Sequence, residues 1–240
     1  MKILDDLLTT LKQGDVVKDI RQGPFQTAVL THNCGLASTL HSHGHHQDVA
    51  PVKEAGTLIG KRALEVAQMA HSPSLLEATI GMATINSLLE VDEGKCVHLN
   101  AKDLLAERGE GKQVALIGHF PFVPELRRVA KELWVIEQHP REGDFAEGKA
   151  ENLLPRADVI GITGTAFTNH TIEHLLSLCH PKAYVIILGG TTPLSPVLFD
   201  YGVDAISGTK VIDPEAALRC VSQGATFRQL KGIRLLTIKR

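Results

Sequence analysis

The side chains that could do chemistry in this sequence are a run of histidines and three glycine–hydroxyl clusters. His41, His43, His45 and His46 fall within the stretch HSHGHH. In an extended segment His41, His43 and His45 share one face, and imidazoles so grouped can ligate a transition metal. The same stretch also reads as a solvated polar loop. His170-Thr171-Ile172-Glu173-His174 matches H-x-x-E-H, the inverted zinc-protease motif, with both histidines on one helical face. It falls at the start of a crossover helix rather than in a metalloprotease setting. A motif of this length also arises easily by chance in a chain with 12 histidines.

The glycine–hydroxyl clusters are Thr163-Gly164-Thr165, Gly189-Gly190-Thr191-Thr192-Pro193 and Ser207-Gly208-Thr209. Glycine lets the main chain approach a ligand, threonine adds donors, and helix N-termini offer unpaired N–H groups. Together they favour an anionic group. Each taken singly is ordinary turn and N-cap composition; three at one sheet edge read as a ligand site. Two further strand ends read Gly118-His119-Phe120-Pro121 and Glu137-Gln138-His139. The first has one glycine where the dinucleotide fingerprint G-x-G-x-x-G needs three, which argues against a pyrophosphate there. Glu137 stands 19 residues after Gly118, the position from which an acid commonly binds ribose hydroxyls. A nucleoside-type ligand therefore stays open, as does simple solvation of the acid. No Ser-His-Asp order, nucleophile elbow or P-loop is present, so no catalytic residue is named.

These residues need elements to position them. Apolar runs at Val114–Gly118, Leu133–Glu137, Val159–Thr163, Tyr184–Gly189 and Asp204–Ser207 alternate with helix-like segments. Such runs suit strands buried on both faces of a parallel sheet. Five βα repeats predict an open doubly wound, Rossmann-like sheet, whose ligands bind beyond the carboxyl ends of the strands. Upstream, Ile3, Leu4, Leu7, Leu8 and Leu11 form a helical stripe ending at Gly14. Val16–Ile20 and Phe25–Thr31 predict a hairpin around Gly23-Pro24, and Gly35–Leu40 extends it. Ser74 to Glu77 reads as a capping box opening a helix to about Leu89 that is apolar nearly all round and so buried. Asn86 on that helix must find partners, as structural anchor or facing the other domain. The fold class is α/β: a smaller α+β domain over residues 1–110, then a Rossmann-like domain over 111–240, joined through polar Leu104–Lys112.

Bulk properties narrow the class further. The 240 residues are 43% hydrophobic and 22% charged, with a net charge of −2. That removes the electrostatic case for a nucleic-acid or anionic-membrane partner. Four cysteines without a CxxC pair, an acidic start and no long apolar span predict a reduced, cytoplasmic protein. A homo-oligomer is compatible with all of this.

Several stretches together resemble one family: LLEATIGMATIN (Leu75–Asn86), LIGHFPF (Leu116–Phe122), ADVIGITGTAFTNHTIEHLL (Ala157–Leu176) and ILGGTTPLSPVLFDYGVDAISGTKVIDP (Ile187–Pro214). The chain is similar over nearly its whole length to the heavy-metal chelation domain family, a Rossmann-like domain preceded by an enolase-N-terminal-like domain. Family motif positions map onto Gly118, Pro121, Glu137, Thr163, Gly164, Thr165, Asn169, Thr171, Gly189, Thr191, Thr192, Pro193, Gly208 and Asp213. Two departures stand out: Gly190-Thr191-Thr192-Pro193 replaces the usual Pro-Ser-Thr-Pro, and His170 replaces a small residue. The resemblance implies two domains with a cleft between them and a role in binding or making metal chelates. The leading expectation is thus a protein that holds a small anionic molecule or metal chelate. A transferase using a nucleoside cofactor with Glu137 on the ribose is one alternative. A non-catalytic metal-sequestering protein acting through His41–His46 is the other.

Overall fold

The computed structural model describes residues 1–41, 51–97 and 99–240. It opens with helix α1 (Lys2–Thr9), whose Ile3, Leu4, Leu7 and Leu8 are buried as one stripe. The helix ends before the expected Gly14, where Thr10 Oγ1 donates to the Leu7 carbonyl at 2.7 Å. An antiparallel meander follows: β1 (Asp19–Gln22), β2 (Gln26–Leu30) and β3 (Cys34–Ser38). Its first turn closes where Gly23 N–H donates to the Gln26 carbonyl at 2.9 Å.

Helix α3 (Leu75–Leu88) packs on this sheet, and the short α2 (Ala63–Ala67) packs against α3. Ile80, Met82, Ile85 and Leu88 of α3 are almost wholly buried, and each contributes about 1.5–3 kcal/mol of apolar burial. The approach is close enough to require glycine. A Cβ on Gly35 of β3 would sit 2.0 Å from the Ala83 carbonyl oxygen, and one on Gly81 would sit 1.9 Å from Ala70 N. The expected capping box does not form. Ser74 Oγ donates instead to the Pro51 carbonyl. Glu77, only 6% exposed, accepts from Lys53 N–H at 2.8 Å and Ser72 Oγ at 2.5 Å. Glu77 thus ties down the loop ahead of α3 rather than the helix end.

The second half builds an eight-stranded sheet. In chain order its strands are β4 (Cys96–Val97), β5 (Gln113–Ile117), β6 (Glu132–Glu137), β7 (Phe145–Ala146), β8 (Val159–Thr163), β9 (Tyr184–Leu188), β10 (Ala205–Val211) and β11 (Ile233–Lys239). The spatial order is β4-β11-β10-β9-β8-β5-β6-β7. From β7 to β10 the strands are parallel, whereas β11 runs antiparallel to β10 and β4 antiparallel to β11. Reading β7-β6-β5-β8-β9-β10 gives the doubly wound order, whose direction reverses between β5 and β8. All five parallel strands expected from the apolar runs are present. β11, β4 and β7 are additional, and β10 extends beyond the expected Ser207 as far as Val211.

Helices α4 (Ala101–Gly109), α5 (Val123–Val129), α6 (Ala150–Leu153), α7 (Thr165–Thr168), α8 (Ile172–Leu178) and α9 (Pro214–Ser222) cover the sheet. The segment Leu104–Lys112, read as a polar junction, is largely the second half of α4. Leu104 and Leu105 are fully buried against Val114, Leu116 and Val159 of the large sheet. The alternation of apolar and polar residues along α4 was masked by its charged outer face. The two halves also share one continuous core, in which Ile3, Leu4 and Met82 join Ile160, Ile162 and Phe167. Among the described residues, no helix is long and apolar enough to cross a membrane.

Candidate functional site

Two cavities lie at the carboxyl ends of the parallel strands, sharing a wall made by Phe120, Thr163 and Thr165. The larger, about 580 Å³, sits beyond β8, β9 and β10. The smaller, about 170 Å³, sits over the β5/β8 reversal point, where doubly wound sheets bind ligands.

The larger cavity arises because β10 separates from β9. Up to Ser207 the two strands pair in parallel; from Gly208 onward β10 is held only by β11. The chain leaving β9 fills part of the opening. Gly189 adopts a φ of +117° there, a conformation open to glycine at little cost. A Cβ on Gly208 would lie 2.8 Å from the Thr192 carbonyl oxygen, so the close approach of this loop needs glycine at 208. Gly208 is therefore a strand residue rather than the loop residue expected. Gly164 similarly meets Thr192, where a Cβ would be 2.5 Å from its main-chain nitrogen.

Aromatic and cationic groups complete this cavity. Phe120 and Phe122 stack with centroids 5.3 Å apart, and Phe227 faces Gly190. Lys102, on the wall, pairs with Glu125 at 2.6 Å; that hydrogen bond, ahead of the charge attraction, raises the lysine pKa. Arg228 lines the same cavity without an ion pair among the described residues. Thr209 Oγ1 is buried in the wall and has no hydrogen-bond partner. Ser207 Oγ and Thr237 Oγ1, of two further lining residues, lie 2.8 Å apart.

The expected helix N-termini supply little here. α7 is a four-residue helix and α5 a seven-residue one, too short for aligned peptide dipoles to build a strong terminal field. The main-chain N–H groups of Gly164, Gly189 and Thr192 donate to the carbonyls of Leu188, Ser207 and Gly189. Donor capacity toward a ligand rests with the hydroxyls, the two cations and the remaining N–H groups of Gly190 and Thr191.

The sequence-derived site residues divide between the two spaces. Gly164, Gly189, Gly190, Thr191 and Gly208 line the larger cavity, and Gly118, Glu137, Asn169 and Thr171 the smaller. Thr163 and Thr165 line both, their hydroxyls 3.0 Å apart. Thr192 and Pro193 lie buried behind the wall. Pro121 lines the larger cavity, and Asp213 caps α9 by accepting from Ala216 N–H at 3.1 Å. The walls of the larger cavity come from the large-sheet half, with Ser38 the sole contributor from the N-terminal half among the described residues.

Thr191 is where the N-terminal half takes hold of the site. Ser38 N–H donates to Thr191 Oγ1 at 2.9 Å, and Asn86 Nδ2 donates to the Thr191 carbonyl at 3.0 Å. The same amide donates to the Leu36 carbonyl at 2.8 Å. Both roles considered for Asn86 are thus filled by one side chain.

The smaller pocket contains a pairing the sequence gave no sign of. His119 Nδ1 lies 2.9 Å from Asp144 Oδ2, and the Asp144 side chain is only 1% exposed. His119 N–H donates to Glu137 Oε1 at 2.7 Å, and Gln138 N–H donates to Glu137 Oε2 at 3.1 Å. His119 was visible only as part of a strand-end tetrapeptide. Asp144 sits in an acidic, glycine-containing loop with nothing to link it to β5. Asn169 Oδ1 accepts from Thr171 Oγ1 at 2.7 Å on the opposite wall.

The histidine motifs fare differently. His41 Nε2 is 3.0 Å from the Pro24 carbonyl oxygen; His43 and His45 lie outside the described residues. The inverted zinc-protease motif is engaged elsewhere. His170, at φ +62°, has Nε2 2.8 Å from the Ala70 carbonyl oxygen, and Glu173 accepts from Ile3 N–H at 2.8 Å. Both residues bind the two halves together. Among the described residues, no group of three or more His, Cys, Asp or Glu side chains could hold a metal ion.

Fold and site together define a doubly wound α/β protein with a strand-end cavity and an N-terminal α+β unit fixed to its rim. A family model described as "Putative heavy-metal chelation" matches residues 100–240, and a companion model of the same description matches residues 4–89. The chain belongs to this family. It is 29% identical over 213 residues to the uncharacterized protein MJ0500 of Methanocaldococcus jannaschii, covering 82% of this chain and 78% of that one. A crystal structure of a DUF364-family protein from Desulfitobacterium hafniense is similar with a TM-score of 0.82 at 25% identity, over 100% of this chain and 98% of that one. A second, from Pyrococcus horikoshii, has a TM-score of 0.81 at 21% identity over the same shares and bears on the fold alone.

Proposed function

We propose that this protein binds a small anionic molecule or metal chelate in the cavity of about 580 Å³ beyond β8, β9 and β10. The observation that carries this reading is convergence. Three glycine–hydroxyl segments separated by tens of residues all supply the wall of one space, and its volume falls within the range of small-molecule sites, roughly 300–1,000 Å³. Its stacked phenylalanines suit a planar or apolar ligand body, while the hydroxyls, Lys102 and Arg228 suit its charged groups. The family's description, heavy-metal chelation, supports a ligand with metal-binding groups.

The nucleoside reading has less support. Glu137 already accepts main-chain N–H groups on both oxygens, and the space beside it, about 170 Å³, is small for a ribose and base together. The binding reading is tested by mass spectrometry of small molecules and metals that co-purify with the native chain and with Gly190→Val. A species rich in carboxylate or phosphate on the native chain and lost from the variant is the expected result. Equal retention by both would place the ligand elsewhere.

A further inference from the structure

We propose that the ligand of the larger cavity is an aromatic carboxylate, its flat ring held between Phe120 and Phe227 and its anionic group met by Arg228. The inference rests on the reading that this cavity is the binding site and adds the chemical class of the molecule that fills it.

The two rings stand on opposite sides of one strand end. Phe120 packs over Gly118, where β5 ends: a Cβ on that glycine would lie 3.3 Å from Phe120 Cε2. Phe227 packs over Gly190, just beyond β9, with its Cε2 2.7 Å from a Cβ built there. Strand β8 lies between β5 and β9, and the segment Thr163-Gly164-Thr165 at its end lines the cavity between the rings. Neighbouring strands are about 4.8 Å apart, so the two anchoring glycines are separated by roughly 10 Å. A flat ring touching a wall on each face takes about 7–8 Å. The space thus admits one planar layer and not a second.

The walls are prepared for such a layer. Phe122 stacks on Phe120 with centroids 5.3 Å apart and planes inclined by 20°, which steadies the first ring. Leu235 of β11, 53% exposed, lines the same cavity together with Leu188 and Leu236. A large aliphatic side chain left in water beside three phenylalanines forms a patch that gains by being covered. An aromatic body gains more there than an aliphatic one, because offset or edge-to-face ring contacts add to the area buried.

The charge falls on the β9 side. Arg228 directly follows Phe227 and lines the cavity without an ion pair among the described residues, whereas Lys102 is joined to Glu125 at 2.6 Å. The main-chain N–H groups of Gly190 and Thr191 have no main-chain partner among the described residues. A planar guanidinium binds a carboxylate through two parallel hydrogen bonds, so the uncompensated cation selects for this anion.

The test is calorimetric titration of the full-length chain with naphthoate, its saturated counterpart decalin carboxylate, and the neutral naphthylmethanol. Naphthoate is expected to bind about 2- to 10-fold tighter than decalin carboxylate. Phe120→Leu and Phe227→Leu, which keep an apolar wall, are each expected to bring that ratio close to one. Arg228→Gln is expected to weaken naphthoate by about 3- to 5-fold without a matching loss for naphthylmethanol. A ratio of one in the native chain, or a ratio that survives both leucine variants, would overturn the aromatic assignment. An Arg228→Gln chain with no selective loss of naphthoate would overturn the carboxylate. Naphthoate binding left unchanged by Gly190→Val would place the ring outside this cavity and overturn the proposal as well. Citrate titrated in parallel reads the binding site by itself. Citrate held by the native chain and lost from Gly190→Val, with no naphthoate bound, would remove the aromatic class alone; a chain that binds none of these probes would remove both readings.

Discussion

The amide of Asn86 and the carbonyl of Thr191 meet at 3.0 Å, joining the buried helix α3 to the loop that forms the rim of the larger cavity. A side chain from one half of the molecule thereby sets the main-chain position of the other half's candidate site. Asn86→Ala removes both donors and leaves the carbonyls of Leu36 and Thr191 unpaired. A buried polar group left without a partner costs about 1–3 kcal/mol. Urea unfolding should show a loss of that size, with faster amide exchange at Thr191 and Thr192. Stability unchanged within error would show that the amide contributes little.

Gly164 and Gly190 should respond differently to valine. At Gly164 the new carbon meets the main chain of Thr192 at 2.5 Å; at Gly190 it meets the ring edge of Phe227 at 2.7 Å. A side-chain ring can rotate away, whereas a loop wedged beneath β10 cannot. Gly164→Val should lower the melting temperature by at least several degrees, as overpacking by about 1–3 kcal/mol does. Gly190→Val should melt close to the native chain and chiefly narrow the cavity. The reverse order of melting temperatures would contradict the described packing.

His170 tests the strain at the junction of the two halves. It adopts a φ of +62° and reaches the Ala70 carbonyl at 2.8 Å. His170→Ala and His170→Gly both lose that bond, but only glycine takes up the left-handed conformation freely. The glycine variant should be the more stable of the two by about 1 kcal/mol. Equal stabilities would indicate that the backbone there relaxes on mutation.

Two thiols should make stability fall in alkali. Burial, reinforced by Asp19, pushes the Cys34 thiol up to about 12, and burial pushes Cys179 up to about 12. An exposed thiol in the unfolded chain loses its proton near pH 9. Between those values the folded chain binds more protons than the unfolded one, so stability declines as pH rises. The contribution is about 1.4 kcal/mol per pH unit for each thiol. Urea unfolding of the native chain and of the variant with alanine at 34 and 179, at about pH 8 and about pH 10, measures it. Parallel losses in the two chains would remove the thiols as the cause.

The elements legible in the sequence were those whose pattern is local. Apolar runs such as Val159–Thr163 and Tyr184–Gly189 announce strands buried on both faces, and the all-round apolar character of α3 announces its burial. Strand β11 was not legible, because it runs antiparallel to β10 outside the parallel pattern and its apolar residues include the exposed Leu235. α4 was taken for a linker because its exposed face carries the charges while only Leu104, Leu105 and Gly109 mark the buried one. Of the candidate site, the glycine–threonine segments could be read because close approach and hydrogen bonding constrain residue type. His119 and Asp144 could not, since their pairing depends on where the loop after β6 returns to the end of β5. The zinc-protease spacing, already discounted as a chance match, brings no site together: His170 precedes α8 in a left-handed conformation and reaches Ala70, while Glu173 reaches Ile3.

The position of β4 has a consequence for how the chain is made. Cys96 and Val97 pair with Ile238 and Thr237, and β11 itself lies between β4 and β10. A ribosome releases β4 before any other strand of the large sheet, yet its seat exists only once the final strand has emerged. Throughout synthesis of residues 98–232 that segment has no neighbour to pair with, and the adjoining cavity wall of Gly208 and Thr237 stays open. The pocket is therefore completed last, after translation reaches Ile233–Lys239, and a nascent chain stalled before then would carry the parallel strands without a finished binding surface.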